Sequence, residues 1–242
     1  MKPTRLGRIA ADRIKQSDVP RLSSALLEAY RSLEDPTGLV SDSLDELGIK
    51  GTIGASTLKP MMPGSVVVGI ALTLHNVAQT GDPFERAKRG EIGMAEMEAH
   101  HIAQKDDIIV IQGVPDLSNM GGISAQVAKR AGEVGAIVDG GIRDVAHQRR
   151  LGFPVWATHV NSVTGKWRIE TVEINGPVHI QGVLVHPGDL VVADDTSVCF
   201  VPRDRVEDVL ALAQAREKHE LKLCQGLDDN QPLHELFPSF GR

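Results

Sequence analysis

Residues 107–160 read DIIVIQGVPDLSNMGGISAQVAKRAGEVGAIVDGGIRDVAHQRRLGFPVWATHV, and this stretch decides the fold class. Two apolar runs, Asp107–Gln112 and Ala136–Asp139, indicate buried strands, and a third strand is predicted at Val155–Val160. Segments with helical spacing separate them, at Gly122–Glu133 and at about Arg143–Leu151. Strand, helix, strand, helix, strand is the order of an α/β fold, and right-handed crossovers make the three strands parallel neighbours.

The flanking segments predict the rest of a single domain, residues 1–242, with N-terminal helices within about residues 1–48 and a C-terminal helix at about 203–226. The elements expected before the central stretch are helices at Arg21–Leu33 and Ser41–Leu47, a buried strand at Val66–Leu74 and a long helix at Pro83–Gln104. The later ones are short antiparallel or mixed strands at Thr171–Ile174, Val183–Val185, Leu190–Ala193 and Val198–Val201, and an exposed helix at Arg203–Cys224.

Composition restricts the class of partner. The chain has 242 residues, of which 41% are hydrophobic and 24% charged, with a net charge of −6, so no global positive field exists to hold nucleic acid. Its longest apolar run, Val66–Leu74, is far shorter than the roughly 20 residues of a membrane helix. The first eight residues lack the apolar stretch of a secretory signal, so we expect a cytoplasmic protein. Cys199 and Cys224 lack metal or redox spacing, and we expect reduced thiols.

Glycines follow the first central strand at a predicted helix start, residues Gly121, Gly122, Ile123 and Ser124. Ligands of open α/β sheets gather where parallel strands end and helices begin, and backbone N–H groups at a helix start attract anions. This segment is therefore a candidate site for a carboxylate or phosphate. A plain glycine-rich turn is the alternative.

The second strand end carries Arg143 and Asp144 after Gly140-Gly141. An arginine presents a planar fork for a carboxylate, and an aspartate offers oxygen to a hard divalent cation. The alternative is an ion pair on the surface at a helix start. Asp139 is a weaker candidate of the same kind.

Other polar residues indicate structure more than chemistry. His100 and His101 are adjacent on a predicted helix and must face different sides, which disfavours joint chelation. Asp194-Asp195 is typical of a polar hairpin, with a metal pair as the alternative. The chain has no GxSxG, HExxH, P-loop, GxGxxG or EF-hand motif, and no lysine interrupts a buried strand, so a carbon–carbon lyase here should use a metal.

Residues 135–145, GAIVDGGIRDV, and 151–157, LGFPVWA, resemble the RraA-like family, which includes 4-hydroxy-4-methyl-2-oxoglutarate and 4-carboxy-4-hydroxy-2-oxoadipate aldolases. Further matches are residues 43–48, SLDELG, the pair Pro63-Gly64, and residues 187–195, PGDLVVADD. The resemblance covers about residues 40–225. It implies a swivelling β/β/α-type α/β domain with a central mixed sheet and flanking helices, assembled as a homotrimer or homohexamer.

The resemblance also implies a chemistry. Arg143 binds the carboxylate of a pyruvate-like group, Asp144 ligates Mg²⁺ or Mn²⁺, and the backbone amides of residues 121–124 hold the substrate. The expected reaction is metal-dependent retro-aldol cleavage of a 4-hydroxy-2-oxo dicarboxylate with release of pyruvate. Oxaloacetate decarboxylation passes through the same enolate.

Gly122 departs from the aldolase pattern, which has an acidic residue at that position. Two residues are candidates to replace that acid: Asp116 in the same loop, and Glu217, which resembles a family glutamate that reaches in from a neighbouring subunit. The same family contains a regulator that inhibits a ribonuclease by binding it, and this is the alternative function. That regulator lacks the aspartate after the arginine, so Asp144 favours an enzyme.

Overall fold

The computed structural model describes residues 5–16 and 18–237. Its main feature is a ten-stranded mixed sheet. This confirms the mixed α/β class, while the division into one domain over residues 1–242 stays a prediction. Among the described residues, no helix has both the length and the apolar character needed to cross a membrane.

Four parallel strands form the centre of the sheet. They are β3 (Val67–Ala78), β4 (Asp107–Gln112), β6 (Gly135–Ile142) and β7 (Val155–Val160). The predicted order of β4, β6 and β7 as parallel neighbours is confirmed. Because side chains alternate across a strand, Ile109 and Ile111 face one side of the sheet, and Ile108 and Val110 face the other.

The remaining strands are antiparallel to their partners or short additions at the edge. They are β1 (Thr52–Gly54), β2 (Lys59–Pro60), β5 (Ser118–Met120), β8 (Ile169–Ile174), β9 (Val178–Ile180), β10 (Val183–Val185), β11 (Leu190–Ala193) and β12 (Ser197–Val201). Strand β5 is the exception, since it runs parallel to β6. The strand order in the sheet is β1-β12-β11-β3-β4-β6-β7-β2, with β5 paired to β6 and β8 paired to β3. The antiparallel region predicted after Lys166 is therefore confirmed.

Eight helices of the described chain surround the sheet: α1 (Ser24–Arg31), α2 (Pro36–Glu46), α3 (Pro83–Arg89), α4 (Glu96–Ile102), α5 (Gly122–Ala131), α6 (Val145–Leu151), α7 (Val206–Asp228) and α8 (Leu233–Leu236). Helices α4, α5 and α6 cover one face at β4 and β6. The β9–β10 hairpin covers the other face there. Helices α1, α2 and α7 pack against β11 and β12.

The long helix predicted at Pro83–Gln104 is wrong, because the chain breaks there into α3 and α4. Gly90 ends α3 in the left-handed region at φ 67°, a conformation that glycine adopts without steric cost. Gly93 then bonds across to the β8 region, donating to the Lys166 carbonyl and accepting from the Thr171 amide. A Cβ on Gly93 would lie 2.4 Å from the Ile169 carbonyl oxygen, so this close approach requires glycine.

Several other boundaries shift by a few residues. Helix α2 begins at Pro36 instead of Ser41, with the proline at its first turn. Helix α6 begins at Val145, so that Arg143 and Asp144 belong to the strand–helix loop. Helix α7 is less exposed than expected, because Val209 and Ala213 are fully buried.

Candidate active site

The end of β6 is shaped by two glycines and a bulge. The register with β7 passes from Val138 opposite Ala157 to Gly141 opposite His159, so β6 contains one extra residue. A Cβ on Gly140 would lie 2.4 Å from Asn119 Nδ2. The two glycines thus let the loop after β4 pack directly against β6, and such bulges commonly redirect the side chains that follow.

Asn119 holds that loop in place. Its side-chain amide donates to the carbonyls of Val114 and Leu117, both at 3.0 Å, and its Oδ1 accepts from the Val114 amide at 2.9 Å. Asn119 is fully buried, so these bonds satisfy groups that would otherwise be costly to bury. The loop therefore delivers β5 and the start of α5 to the side of β6.

Arg143 and Asp144 lie at this junction. The Arg143 amide donates to the Met120 carbonyl at 3.0 Å, which ties the β6 end to β5. Asp144 adopts a left-handed conformation at φ 62° immediately before α6, a conformation that costs an L-residue about 1–2 kcal/mol. Its carboxylate makes no bond to α6. Instead, Asp144 Oδ2 accepts from the Gly122 amide at 3.0 Å, at the first residue of α5.

The candidate residues at the two strand ends lie close together in the structure. Asp144 Oδ2 is also 3.7 Å from Arg143 Nε, and the two side chains are 50% and 31% exposed. A Cβ on Gly121 would lie 3.0 Å from Asp144 Oδ2 and 3.1 Å from Arg143 Nε. Gly121 therefore leaves room for both groups beside the helix start.

The first turn of α5 presents further donors. Ile123 and Ser124 are the second and third helical residues, so their amides have no acceptor inside the helix. The Ile123 side chain is 66% exposed, whereas Ser124 is 4% exposed. The Ser124 hydroxyl points inward to His100 Nε2 at 2.8 Å, so Ser124 faces the site with its backbone only.

His147 is a site residue that the sequence analysis missed. A Cβ on Gly122 would lie 3.0 Å from His147 Cγ and 3.1 Å from Asp144 Cβ, so the half-buried imidazole fills the space in front of Gly122. His147 stands three residues after Asp144 and thus one helical turn further on. That spacing is the signal that could have found it.

The remaining candidates lie in other settings. Asp116 is exposed, and among the described residues its one bond is at the backbone carbonyl, which accepts from Asn161 Nδ2 at 2.7 Å. Asp139 accepts from the Gln181 amide and side chain at 3.0 and 2.6 Å, within the contact to the β9–β10 turn.

On α7, Glu217 Oε1 accepts from the Glu34 amide at 2.8 Å, in the α2–α7 region. Its reach into a neighbouring subunit stays a prediction.

The other polar pairs have structural roles. His100 is buried and His101 is exposed, which agrees with their expected opposite orientation. Asp194 accepts from Thr37, Thr196 and Ser197, and Asp195 accepts from the Gly64 amide. This is the polar hairpin that the sequence suggested.

The sequence matches the RraA-like family, described as Aldolase/RraA, over residues 37–200. A putative 4-hydroxy-4-methyl-2-oxoglutarate aldolase of Halalkalibacterium halodurans is 31% identical over 197 residues, which cover 81% of this chain and 86% of that protein. Protein DlpA of Legionella pneumophila is also 31% identical over 197 residues. This region covers 77% of the chain but only 30% of DlpA.

Solved structures share the fold. An uncharacterized protein from Pseudomonas syringae pv. tomato superimposes with a TM-score of 0.76 at 23% identity, covering 92% of this chain and 97% of that one. RraAS2 of Streptomyces coelicolor, an unusual member of the RNase ES inhibitor RraA protein family, gives 0.69 at 28% identity, with coverages of 84% and 97%. Since the family match spans well over half of the sequence and these folds agree, the chain belongs to the RraA-like family.

Proposed function

We propose that this protein is a divalent-metal-dependent lyase that cleaves a small 2-oxo acid and releases pyruvate. The observation that carries the proposal is the Asp144–Gly122 hydrogen bond, which brings an arginine, a carboxylate and a helix N-terminus to one position. The 31% identity to a putative 4-hydroxy-4-methyl-2-oxoglutarate aldolase supports the reaction class. The substrate we propose is a 4-hydroxy-2-oxo dicarboxylate, with oxaloacetate as a second substrate.

The donor set suits a hard cation that is held weakly by protein. Among the described residues, no three His, Cys, Asp or Glu side chains are grouped to hold a metal ion. Asp144 offers one half-exposed carboxylate, and Mg²⁺ is commonly held by one or two carboxylates together with water and substrate oxygens. Asp144 therefore fits as the protein ligand of Mg²⁺ or Mn²⁺, which when bound supplies Lewis-acid polarisation of the 2-oxo group.

The chain's own groups bind and orient the substrate. Arg143 pairs only loosely with Asp144, at 3.7 Å, which leaves its terminal nitrogens for a bidentate bond to the substrate carboxylate. The free amides of Ile123 and Ser124 bind oxygens of the same end of the substrate and favour negative charge there. Both sets of donors are in place before the substrate arrives, which lowers the cost of reorganisation.

In retro-aldol cleavage the 4-hydroxyl loses its proton, its oxygen forms a carbonyl at C4 of the second product, and the electron pair of the broken C3–C4 bond enters the enolate of pyruvate. The enolate then takes up a proton at C3 to give pyruvate. Arg143 stabilises the charge on this enolate. We assign the acceptance of the hydroxyl proton to His147, because its imidazole occupies the space in front of Gly122.

The test is pyruvate release from 4-hydroxy-4-methyl-2-oxoglutarate and from oxaloacetate, followed by coupled lactate dehydrogenase with Mg²⁺ or Mn²⁺. Release that stops on adding EDTA supports the lyase. If neither compound yields pyruvate above the metal-only background, the proposal is wrong for these substrates. In that case ribonuclease binding, the activity named for the family of the Streptomyces relative, is the competing function.

We also propose that the working particle is a homotrimer or homohexamer in which Glu217 faces the site of a neighbouring subunit. Glu217 lies on α7, away from Arg143 within one chain, and its carboxylate already bonds the Glu34 amide. Light scattering measures the particle mass. A Glu217→Gln variant with unchanged mass and unchanged pyruvate release would remove Glu217 from the site.

A further inference from the structure

A cavity of about 750 Å³ lies between α4, α5 and the N-terminal segment, and it contains none of the residues assigned to the candidate active site. Its wall combines apolar residues with two arginines and two histidines: Leu6, Met97, Ala103, Val127, Ala131, Arg8, Arg130, His100 and His101. Helix α5 contributes to both places. Its first turn forms the candidate site, and residues 127–131 line the cavity about 8–14 Å further along the helix.

Glu98 anchors the N-terminal residues of this wall. Its carboxylate is completely buried on α4 and accepts from the Leu6 amide at 2.8 Å and the Arg8 amide at 2.9 Å. A buried carboxylate is costly unless it is hydrogen-bonded, so these two bonds hold the N-terminal segment across the cavity. Leu6 and Arg8 are thereby fixed as wall residues.

His100 forms a second fixed part of the wall. Its Nδ1 lies 2.7 Å from Glu133 Oε1 and its Nε2 lies 2.8 Å from Ser124 Oγ, with all three side chains buried. Both ring nitrogens are engaged, so the imidazole cannot turn to bind a ligand. Recognition of charge in the cavity is left to the arginines.

Arg8 and Arg130 are exposed and unpaired within the described part of the chain. Arg13, Arg31 and Arg216, by contrast, each contact an acidic side chain. Two acidic groups lie near Arg8: Glu98, which accepts from its backbone amide, and Glu96. Burial raises the pKa of Glu96, and the charge of Arg8 offsets part of that rise without a hydrogen bond between the two. Two unpaired guanidinium groups beside an apolar wall suit an anion with an apolar body.

We propose that this cavity is a second ligand site, which binds a small organic anion. The carboxylate or phosphate group lies between Arg8 and Arg130, and the apolar body packs on Met97 and Val127. Because Glu98 and His100 fix the walls in advance, little ordering is needed on binding.

The test is titration calorimetry on the full chain with hexanoate, hexyl phosphate and hexanol. We expect the two anions to bind at least about tenfold more tightly than the alcohol, since a charge-assisted hydrogen bond contributes about one such factor or more. Hexanoate against hexyl phosphate then distinguishes a carboxylate ligand from a phosphate ligand. Arg8→Gln and Arg130→Gln should each weaken anion binding about tenfold.

Arg150→Gln is the matched control, because Arg150 is an exposed arginine on α6 outside the cavity and should leave the affinity unchanged. Val127→Trp, which puts a bulky ring where the apolar body of the ligand packs and removes no charge, should weaken binding, and circular dichroism checks that each variant folds. Equal affinity for hexanol and hexanoate, or unchanged affinity in both cavity arginine variants, would overturn the proposal. The absence of anion binding at millimolar concentration would also overturn the proposal. If Arg130→Gln then changes the particle mass, Arg130 belongs to a subunit contact instead.

Discussion

The carboxylate of Asp144 binds the N-terminus of the neighbouring helix α5, since Asp144 Oδ2 accepts from the Gly122 amide at 3.0 Å. The same carboxylate makes no bond to α6. One carboxylate thus joins two successive strand–helix loops. This bond holds the carboxylate beside Arg143 and leaves the next two amides of α5 for a ligand. The proposed lyase site depends on this arrangement, and the following predictions test its parts.

Arg143→Lys should lower kcat/KM for pyruvate release about 10- to 100-fold, because a point charge cannot form the two parallel bonds of the guanidinium. Steady-state kinetics measures the change, with KM rising if substrate binding is affected. Arg150→Lys is the control, since Arg150 is an exposed arginine in the last turn of α6. Equal kinetics for the two variants would show that Arg143 is a surface residue.

Gly121→Ala should impair activity with little effect on folding. The new methyl group would lie 3.0 Å from Asp144 Oδ2 and 3.1 Å from Arg143 Nε, so both side chains must move by a few tenths of an ångström. Such displacement costs roughly tenfold or more in rate. Gly38→Ala is the control, since a Cβ there meets nothing within 4 Å and should stabilise α2 by about 0.5–1 kcal/mol. Wild-type turnover in Gly121→Ala would contradict the assigned geometry.

Ser124→Ala should destabilise the protein by about 1–3 kcal/mol, because it leaves the buried His100 Nε2 without its partner. Urea denaturation measures the free energy of unfolding. Ser32→Ala removes an exposed bond to the Ala29 carbonyl and should cost little. If the two variants were equally stable, the Ser124–His100 bond would not contribute to the core.

Burial raises the pKa of the Cys199 thiol from its ordinary 9.0 to about 11, whereas Cys224 is exposed on α7. At pH 8 a disulfide reagent such as DTNB should titrate one thiol per folded chain, and Cys224→Ser should remove it. The unfolded chain loses its Cys199 proton first, so this contribution to stability is present below pH 9 and falls as the pH rises towards 11. Rapid reaction of two thiols in the folded protein would contradict the burial of Cys199.

The central sheet could be predicted because its strands are continuous apolar runs separated by helical segments. The break at Gly90–Gly93 could not be predicted, since it depends on contacts with Lys166 and Thr171, more than 70 residues away. The helical spacing of the apolar residues continues through this break, so the sequence alone predicts one long helix. Local pattern therefore identified the elements, and distant backbone contacts decided where one of them ends.

For the site, topology made the prediction possible. Parallel strands end at the same edge of the sheet, so the candidate residues that follow β4 and β6 lie close together, although Gly122 and Asp144 are 22 residues apart in sequence. The buried chain Ser124–His100–Glu133 was not predicted, because nothing in the local sequence relates α4 to the two ends of α5. His147 was missed because its imidazole fills a space that exists only where residue 122 has no side chain, and the local sequence around His147 does not show this contact.

Comparison of wild type, Asp144→Asn and Asp195→Asn in the coupled pyruvate assay tests the central claim most directly. Asparagine at position 144 keeps an oxygen that can accept from the Gly122 amide but removes the charge that a divalent cation needs. Asp195 also bonds a backbone amide, that of Gly64, at the opposite edge of the sheet. We predict that Asp144→Asn loses Mg²⁺-dependent pyruvate release at least about 100-fold and remains folded, while Asp195→Asn keeps it. Full activity in folded Asp144→Asn would contradict the account.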